Sequence, residues 1–369
     1  MQAQHLAAPD AFARTFDGKI QQVFVYATNK CQLQCRQCLY KPLLRSGAPD
    51  FSFEDLDWLL RLFHSYGAYK LSFLGGEPTL YFDRASGSRV GDLVELGFKT
   101  GFNYVRMDTN GQFASALLQS PQMASLSEIT FSLDGFTPDT NDEIRGEGTL
   151  RKCLASIEQA VALGYRVQIT TCVHNVLCPD PDTGFDNMVS MIRFAEGLGV
   201  RAINFHPILM AGIPRDGWID GTDIPAASWM QIYRRLRQEI SSASFSVAVR
   251  LPARFVGLNE YLANSDSYDY CPVRMGERVL ILPDGSLKIC AFEIGTPNSV
   301  AHFSNGTITM AQQNNEIAKI AAFDPSCGPC MNQRPSEPSL VPLCMSFKPH
   351  QRELVWSTMR ADAAEAIPD

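Results

Sequence analysis

The sequence predicts an α/β fold, a partial (β/α)6 TIM-like barrel that is followed by a small hairpin-rich C-terminal domain. Three observations support this prediction. Strand-like apolar runs alternate with longer amphipathic segments over residues 21–207, which is typical of βα units around a parallel sheet. The chain has 369 residues, enough for one large core and a smaller unit. From residue 271 onward the pattern changes to short strands and turns.

Six strands are predicted in the first part of the chain. They are expected at residues 23–26, 70–74, 104–108, 128–133, 166–173 and 202–206. Helical patterns between them cover residues 52–64, 151–163 and 186–198. Ser52 marks the start of the first helix, because a serine side chain can cap the free amides of a helix N-terminus. Parallel barrels carry their chemistry on the loops after the carboxyl ends of the strands, so functional residues are expected there.

Changes in composition set the domain boundaries. Glycine, proline and aspartate accumulate at residues 211–223, which indicates a long loop after the sixth strand. Residues 278–281 and 287–289 flank the sequence Pro-Asp-Gly-Ser, which favours a β-hairpin. The predicted units are an N-terminal extension (1–20), the partial barrel (21–225), a helical bridge (226–270), the hairpin-rich domain (271–346) and a C-terminal helix (347–369).

Composition argues against two classes of partner. The formal net charge is -7 and there is no block of lysine or arginine, so no nucleic-acid partner is expected. The N-terminus does not read as a signal peptide, and no apolar stretch reaches about 18 residues, the length that a membrane span needs. The protein is therefore expected to be cytoplasmic, with no membrane partner.

The first of two cysteine sets lies in one short loop. Cys31, Cys35 and Cys38 stand in the sequence TNKCQLQCRQCLY with C-x3-C-x2-C spacing. This spacing lets three thiolates converge on one 4Fe-4S cube and leaves its fourth iron without a protein ligand. A zinc site would want a fourth cysteine or histidine nearby, and none is present in this segment. The set therefore predicts an iron-sulfur cluster with one open iron.

Two further motifs follow in order, GGEPT after the apolar run 71–74 and SLDG after the run 129–131. With them the chain resembles the radical S-adenosylmethionine (SAM) superfamily. The resemblance implies that the open iron binds the amine and carboxylate of SAM and cleaves it to a 5'-deoxyadenosyl radical. It assigns Gly75, Gly76 and Glu77 to the SAM amine and Ser132 to its carboxylate or ribose. Asp134 lies on the same face as Ser132, since alternate residues of a strand share a face, and it is predicted to contact the cofactor with Ser132. Capping of the following turn is the alternative for both residues.

The segment NDEIRGEGTL at residues 141–150 resembles the HDxxRG-type segment of SPASM-type radical SAM enzymes. The resemblance makes Arg145 the partner of the SAM carboxylate, because guanidinium groups bind carboxylates bidentately. A surface arginine is the alternative. Gln37 departs from the family, which usually has an aromatic residue or histidine before the last cysteine. Cys153 and Cys172 lie in helix and strand patterns and are interpreted as core residues.

The second cysteine set lies in the C-terminal part of the chain and resembles a SPASM or twitch module. The resemblance implies an auxiliary 4Fe-4S cluster bound by Cys271, Cys290, Cys327 and Cys330, with Cys344 as a substitute ligand. A structural zinc site with the same four cysteines is an alternative. The sequence Cys-Gly-Pro-Cys at residues 327–330 also resembles a thioredoxin motif, but it lacks the βαβ context of that chemistry.

The resemblance implies a radical SAM oxidoreductase or maturase. The first hypothesis is oxidation or crosslinking in the maturation of a ribosomal peptide or natural product. The second is a dehydrogenase or epimerase for a small polar metabolite such as an aminocyclitol or sugar, and a third is a noncatalytic iron-sulfur or zinc protein. The expected partners are a peptide or small-molecule substrate and an electron donor such as flavodoxin or ferredoxin. The sequence assigns no catalytic acid, base or hydrogen donor.

Overall fold

The structure is a computed structural model, and it describes residues 9–44, 47, 49–207, 222–251, 255–257, 276–294, 297–311, 340–342 and 356–357. The helices are α1 (Asp10–Phe16), α2 (Phe53–Ser65), α3 (Val90–Thr100), α4 (Pro138–Arg145), α5 (Thr149–Ala162), α6 (Pro181–Gly197) and α7 (Ala226–Ser242). The strands are β1 (Gln22–Tyr26), β2 (Lys70–Leu74), β3 (Tyr104–Thr109), β4 (Glu128–Ser132), β5 (Val167–Val173), β6 (Ala202–Pro207), β7 (Ala248–Arg250), β8 (Phe255–Gly257), β9 (Arg278–Ile281), β10 (Ser286–Lys288), β11 (Ala301–Ser304), β12 (Thr307–Met310), β13 (Leu340–Pro342) and β14 (Trp356–Ser357).

Most of the described strands form one sheet of twelve. Its order is β12-β11-β10-β9-β1-β2-β3-β4-β5-β6-β7-β14, while β13 and β8 form a separate pair. Strands β1 to β7 run parallel to one another, β9 pairs with β1 in parallel, and β14 pairs with β7 in the antiparallel sense. The six predicted strands correspond to β1–β6, so the predicted α/β fold with a parallel sheet is confirmed. The strand order has two ends, and the barrel curvature stays a prediction.

The structure differs from the predicted organisation in several short elements. β7 adds a seventh parallel strand inside the predicted helical bridge, after α7. The predicted hairpin is present as β9 and β10, but β9 extends the main sheet through its parallel pairing with β1. The C-terminal segment 347–369 was expected to be a helix, which is wrong for Trp356 and Ser357, because they pair with β7 as a strand. The rest of that segment lies outside the described residues.

The helices form where apolar residues repeat at helical spacing behind a capping residue. At the start of α2 the Ser52 side chain accepts a hydrogen bond from the Asp55 N–H at 3.0 Å. Leu56, Leu59 and Phe63 then share one buried face. The N-terminal extension also contributes to this core, since Phe12 and Phe16 of α1 are fully buried and their rings lie 5.8 and 5.7 Å from the ring of Phe63.

The two faces of the parallel sheet have opposite chemistry. Since alternate side chains of a strand point to opposite faces, one face carries residues such as Phe73, Met107 and Ile169, which are fully buried. Helices α3, α5 and α6 pack against the strands there. We call the other side the polar face; it carries Ser72, Tyr104, Arg106, Asp108, Glu128, Thr130, Gln168, Asn204, His206 and Arg250. Within the described ranges no helix is long and apolar enough to cross a membrane.

Candidate functional site

The three cysteines of the first set lie in a loop between β1 and α2, which we call the cysteine loop (residues 31–38). All three are free thiols and half-buried. Burial raises the pKa of each thiol, in Cys38 to about 12, and each of the other two cysteines adds to the rise at Cys38. The three side chains therefore lie close enough to interact electrostatically. Such thiols become thiolates when a metal binds them, so this donor set fits an iron-sulfur cluster.

A site for a single metal ion requires a different arrangement of its ligands. In the part of the chain that the structure describes, no three cysteine, histidine or carboxylate side chains converge on one position suited to a metal ion. A zinc ion would need its ligands around one point. Clusters of the 4Fe-4S type bind each thiolate to a different iron. The cluster that the spacing predicts stays a prediction.

The cysteine loop is held against the C-terminal end of α4. The Arg36 N–H donates to the Ile144 carbonyl at 2.9 Å, and the Arg36 guanidinium forms an exposed ion pair with Glu143 at 2.7 Å. The Cys35 thiol lies 4.0 Å from the Arg145 carbonyl oxygen. On the other side, the Asn110 amide lies 3.7 Å from the Cys31 sulfur. The loop is thus fixed by segments that follow β3 and β4.

Gly75 and Gly76 bring the end of β2 against the chain that leads into the cysteine loop. The Gly76 N–H donates to the Thr28 carbonyl at 2.9 Å, and the Glu77 N–H donates to the Lys30 carbonyl at 2.7 Å. A Cβ atom would lie 2.6 Å from the Thr28 oxygen at Gly75 and 2.2 Å from the Lys30 oxygen at Gly76. The glycines therefore permit a close approach to the protein's own backbone, and their contact with the SAM amine stays a prediction.

Glu77 is 1% exposed, and its carboxylate accepts four hydrogen bonds within the chain. Oε1 accepts from the Thr79 N–H at 3.2 Å and from the hydroxyls of Thr79 and Thr109 at 2.8 and 2.7 Å. Oε2 accepts from the Asn110 N–H at 2.8 Å. Burial raises the pKa of Glu77, and these hydrogen bonds lower it. The structure gives this carboxylate the role of joining the ends of β2 and β3, and its contact with SAM stays a prediction.

Asp134 is fully buried at the end of β4 and joins three segments of the chain. Its Oδ2 accepts from Arg145 Nε at 2.6 Å, as an ion pair, and from the amide of Gln37. Its Oδ1 accepts from the Cys172 N–H at 2.7 Å. The sequence predicted Arg145 as a partner for a ligand carboxylate, and the structure supplies Asp134 as a partner from within the chain. The Arg145 side chain is 10% exposed, so it also reaches the surface of the site.

Ser132 ends β4 one row from Asp134. It is half-buried, and its hydroxyl makes no hydrogen bond to another described residue. The strand register aligns it with Thr170, Asn204 and Arg250 on the next three strands. This row of polar side chains lies at the carboxyl side of the sheet, where the cysteine loop begins. The structure therefore brings the residues predicted to contact SAM and the cysteine loop to one end of the sheet.

Cys172 is a residue whose role the sequence misjudged. It was interpreted as a core residue, but it is half-buried on β5 and lies in register with His206 on the polar face. Burial raises its pKa, and the nearby groups that shift it are Asp134, Arg145, Cys35 and Cys38. Cys172 therefore lies beside the cysteine loop. The available signal was its alternation with Gln168 and Thr170, which are both polar. Cys153, by contrast, is 2% exposed and lies in the core as expected.

Paired side chains cover the polar face. Arg106 and Asp108 form an ion pair at 2.8 Å with side chains 19% and 23% exposed. The Tyr104 hydroxyl donates to Glu128 at 2.7 Å, and Arg250 donates to Gln168. Asn204 Nδ2 donates to His206 Nε2 at 2.6 Å. Burial, and secondarily the charge of Arg106, lower the pKa of His206 to about 4, so this imidazole is neutral at physiological pH.

The predicted auxiliary cluster stays a prediction. Cys290 is half-buried and packs against the core beside β10. Cys271, Cys327, Cys330 and Cys344 lie outside the described residues. Burial raises the pKa of Tyr26, and both Cys38 and Cys290 add to this rise, so Tyr26 lies near both of these cysteines. Its ring stacks on that of Tyr40 with centroids 5.0 Å apart. Cys38 and Cys290 therefore share Tyr26 as a neighbour.

Comparison with known proteins decides the family of the first part of the chain. Residues 25–192 match the model of the radical SAM superfamily. This segment is a radical SAM domain. Relatives include Molybdenum cofactor biosynthesis protein 1 of Homo sapiens, 27% identical over 305 residues that cover 78% of this chain and 44% of that protein. GTP 3',8-cyclase of Rhodopseudomonas palustris (strain TIE-1) is 27% identical over 253 residues, 68% of each chain. The chain spans less than half the length of the mammalian relatives.

Solved structures share the fold of this radical SAM domain. Streptococcus suis SuiB bound to S-adenosylmethionine has a TM-score of 0.58 with 15% identity and covers 84% of this chain and 67% of its own. Tagged anSMEcpe with bound AdoMet has a TM-score of 0.55 with 16% identity and covers 77% of both chains. The likeness extends beyond residues 25–192 and agrees with the parallel α/β sheet described above.

Proposed function

We propose that this radical SAM enzyme abstracts a hydrogen atom from a small polar molecule that binds against the polar face. The observation that carries the proposal is the set of charged and amide side chains on the polar face, above all the ion pair of Arg106 and Asp108. An apolar group bound there would deprive these side chains of water without giving them hydrogen bonds, which is costly. A hydroxylated, amino-bearing or nucleotide-like substrate replaces those lost bonds.

The relatives support a polar small molecule. Curated relatives are named GTP 3',8-cyclase, and a nucleotide belongs to that class. Peptide maturation, the first hypothesis from sequence, draws on fold alone, since SuiB has been solved with its precursor peptide SuiA at 14% identity to this chain. We therefore favour the second hypothesis, a dehydrogenase or epimerase acting on a small polar metabolite, and use a peptide as the competing substrate in the test below.

Different residues of the chain would hold the cluster, bind SAM and orient the substrate. Cys31, Cys35 and Cys38 would hold the first 4Fe-4S cluster, and the Ser132 hydroxyl and the Arg145 guanidinium would bind the carboxylate of SAM. When bound, the cluster and SAM supply a 5'-deoxyadenosyl radical that takes a hydrogen atom from a substrate carbon. The polar face orients that carbon through hydrogen bonds. The apolar cluster of Tyr26, Tyr40, Leu280, Leu282 and Ile294 packs against Cys38 and excludes water from beneath the loop.

The auxiliary cluster completes the proposed oxidation. Cys290, together with Cys271, Cys327 and Cys330 or with Cys344 in place of one of them, would bind it and accept the electron left on the substrate. A flavodoxin or ferredoxin would supply the electron that starts each turnover. With four thiolate ligands no iron of this cluster is open to substrate, which suits an electron acceptor. A zinc ion at the same cysteines would remove that role.

The first experiment measures iron and sulfide after anaerobic reconstitution. The variant Cys31→Ala/Cys35→Ala/Cys38→Ala should lose about four of about eight irons and all cleavage of SAM to 5'-deoxyadenosine. Cys178→Ala is the control, because it removes a buried thiol outside both sets. About four irons and zinc in the wild type, with no iron in the triple variant, would leave the first cluster in place and make the second site a zinc site.

The second experiment tests the substrate class. Wild-type protein is incubated with SAM, reductant and one of three candidates: GTP, an amino sugar or an unmodified peptide. A polar substrate should stimulate 5'-deoxyadenosine formation, and a deuterated substrate should transfer deuterium into it. Asp108→Asn should weaken this stimulation without changing the basal SAM cleavage in the absence of substrate. Stimulation by the peptide alone, unaffected by Asp108→Asn, would contradict the small-molecule proposal and restore the maturase hypothesis.

A further inference from the structure

Asp134 is the point at which three separate parts of the site meet. Its carboxylate accepts hydrogen bonds from Gln37 in the cysteine loop, from Arg145 at the end of α4 and from the backbone of Cys172 on β5. Its own carbonyl accepts a hydrogen bond from His174 Nε2 at 2.9 Å. Because Asp134 is 0% exposed, water does not compete for these bonds. A displacement of this one side chain would break hydrogen bonds to all three segments.

Gln37 connects this carboxylate to the cysteine loop. It lies between Cys35 and Cys38 and is 6% exposed. The Gln37 Nε2 atom donates to Asp134, whereas Gln37 Oε1 is buried and has no hydrogen-bond partner among the described residues. The orientation of the amide is therefore set by its single bond to Asp134. This bond joins the two ligating cysteines on either side of Gln37 to the end of β4.

Arg145 needs the negative charge of Asp134 as well as its hydrogen bond. The side chain of Arg145 is 10% exposed, and its Nε lies 2.6 Å from Asp134 Oδ2. A buried cation that loses its counter-ion is strongly destabilised. A second, direct connection joins the cysteine loop to α4. It is the ion pair of Arg36 and Glu143, whose side chains are 43% and 57% exposed. That pair is in water, where ion pairs contribute little.

We propose that Asp134 is a positioning residue that fixes the distance between the cysteine loop and the guanidinium of Arg145. The sequence assigned Asp134 to the cofactor itself. The contacts instead use both of its oxygens inside the protein, so it acts through Gln37 and Arg145. On the proposed function, this fixes the cluster relative to the group that binds the carboxylate of SAM. The inference rests on the proposed function only where SAM binding is measured, because hydrogen-deuterium exchange of the cysteine loop can be measured without cofactor.

The test compares Asp134→Asn with Glu143→Gln. Both remove one carboxylate charge between the cysteine loop and α4, one buried and one exposed. The first readout is hydrogen-deuterium exchange of the apo protein. Asp134→Asn should increase exchange in residues 31–38, and Glu143→Gln should leave it at the wild-type rate. The second is SAM binding by the reconstituted protein, which Asp134→Asn should weaken about 10- to 100-fold, as expected for a buried hydrogen bond to a charged group.

A third variant separates positioning from mere stability. Asp134→Asn/Gln37→Glu exchanges the amide and the carboxylate across one hydrogen bond and keeps one negative charge beside Arg145. It should recover slow exchange in residues 31–38 and at least part of the SAM affinity and of the SAM-induced change in the electron paramagnetic resonance spectrum. If Asp134→Asn does not fold, Gln37→Leu removes only the bond to the loop and must by itself increase exchange there.

Two results would overturn the proposal. The first is an unchanged exchange rate: residues 31–38 of Asp134→Asn, or of Gln37→Leu, would exchange as slowly as those of the control Glu143→Gln. The other is a double variant that regains thermal stability without regaining SAM affinity or the spectral change. Failure of the wild type to bind iron or SAM would instead count against the proposed function, while exchange in the apo protein would still report on Asp134.

Discussion

The substitution Gly76→Ala tests how the cysteine loop is held. A Cβ atom at this position would lie 2.2 Å from the Lys30 carbonyl oxygen, well inside the 3.0 Å that real Cβ contacts respect, and 2.6 Å from the Lys30 carbonyl carbon. Both are backbone atoms, so no side-chain rotation relieves the overlap. The Lys30 segment must move away. That movement opens the hydrogen bonds from Gly76 to Thr28 at 2.9 Å and from Glu77 to Lys30 at 2.7 Å.

The expected cost follows from these two losses. Two backbone hydrogen bonds contribute roughly 1 kcal/mol each to the free energy of unfolding, and overpacking in a tight site adds roughly 1–3 kcal/mol. Gly76→Ala should therefore destabilise the protein by about 3–5 kcal/mol. Urea unfolding followed by circular dichroism measures this difference. Iron binding after reconstitution should fall as well, because Lys30 immediately precedes Cys31.

Gly197→Ala is the matched control for the same chemical change. Gly197 ends α6, and a Cβ atom there meets nothing within 4 Å. Alanine is the better helix former by about 1 kcal/mol, so this variant should be as stable as the wild type or slightly more stable. If Gly76→Ala and Gly197→Ala unfold at the same urea concentration and bind the same amount of iron, the contact between the end of β2 and the Lys30 segment does not hold the loop.

Three further predictions concern other parts of the structure. Phe16→Ala should lower the free energy of unfolding by about 3–5 kcal/mol, as for other buried aromatic residues, and an unchanged urea midpoint would show that α1 does not pack as described. Glu77→Gln should cost about 1–3 kcal/mol, because an amide N–H would face the Asn110 N–H, and Glu95→Gln on the exposed face of α3 is the control in the same assay. His206→Gln should reduce the loss of stability on acidification. In the wild type the unfolded histidine takes up a proton near pH 6.5, whereas the folded one does so only near pH 4. The free energy of unfolding of the wild type therefore falls as the pH falls through this window. Melting temperatures at pH 7 and pH 4.5 test this, and an equal decrease in both proteins would contradict it.

The sequence predicted the parallel sheet because its pattern is strong there. Strands β1 to β6 have apolar residues on at least one face, and the helices between them repeat at helical spacing. β7 was missed because three residues, Ala248 to Arg250, are too few to show a period. α1 was missed for a similar reason, since its seven residues bury only Phe12 and Phe16.

The candidate site was predictable where its chemistry depends on local spacing. Three cysteines within eight residues predict a cluster loop without any knowledge of the fold. The partners of Glu77, Asp134 and Arg145 come from distant segments, and no local pattern reports them. Glu77 is bound by residues of β3 and its following turn, and Asp134 by the cysteine loop and β5. The motifs therefore indicated candidate site residues, but not that several of these residues form hydrogen bonds with one another.

The pairing of β9 with β1 has a consequence for the order in which the protein assembles. β1 precedes β9 in the chain and is therefore synthesised before it, and the cysteine loop follows β1 directly. One of its edges is covered by β2, but the other waits for β9, whose last residue is Ile281. Contacts between such distant segments form slowly, and an open strand edge is a site for unwanted pairing. The strand that leads to the cysteine loop thus gains its second neighbour only after residues 27–277 have been synthesised, which favours insertion of iron after β9 has paired with β1.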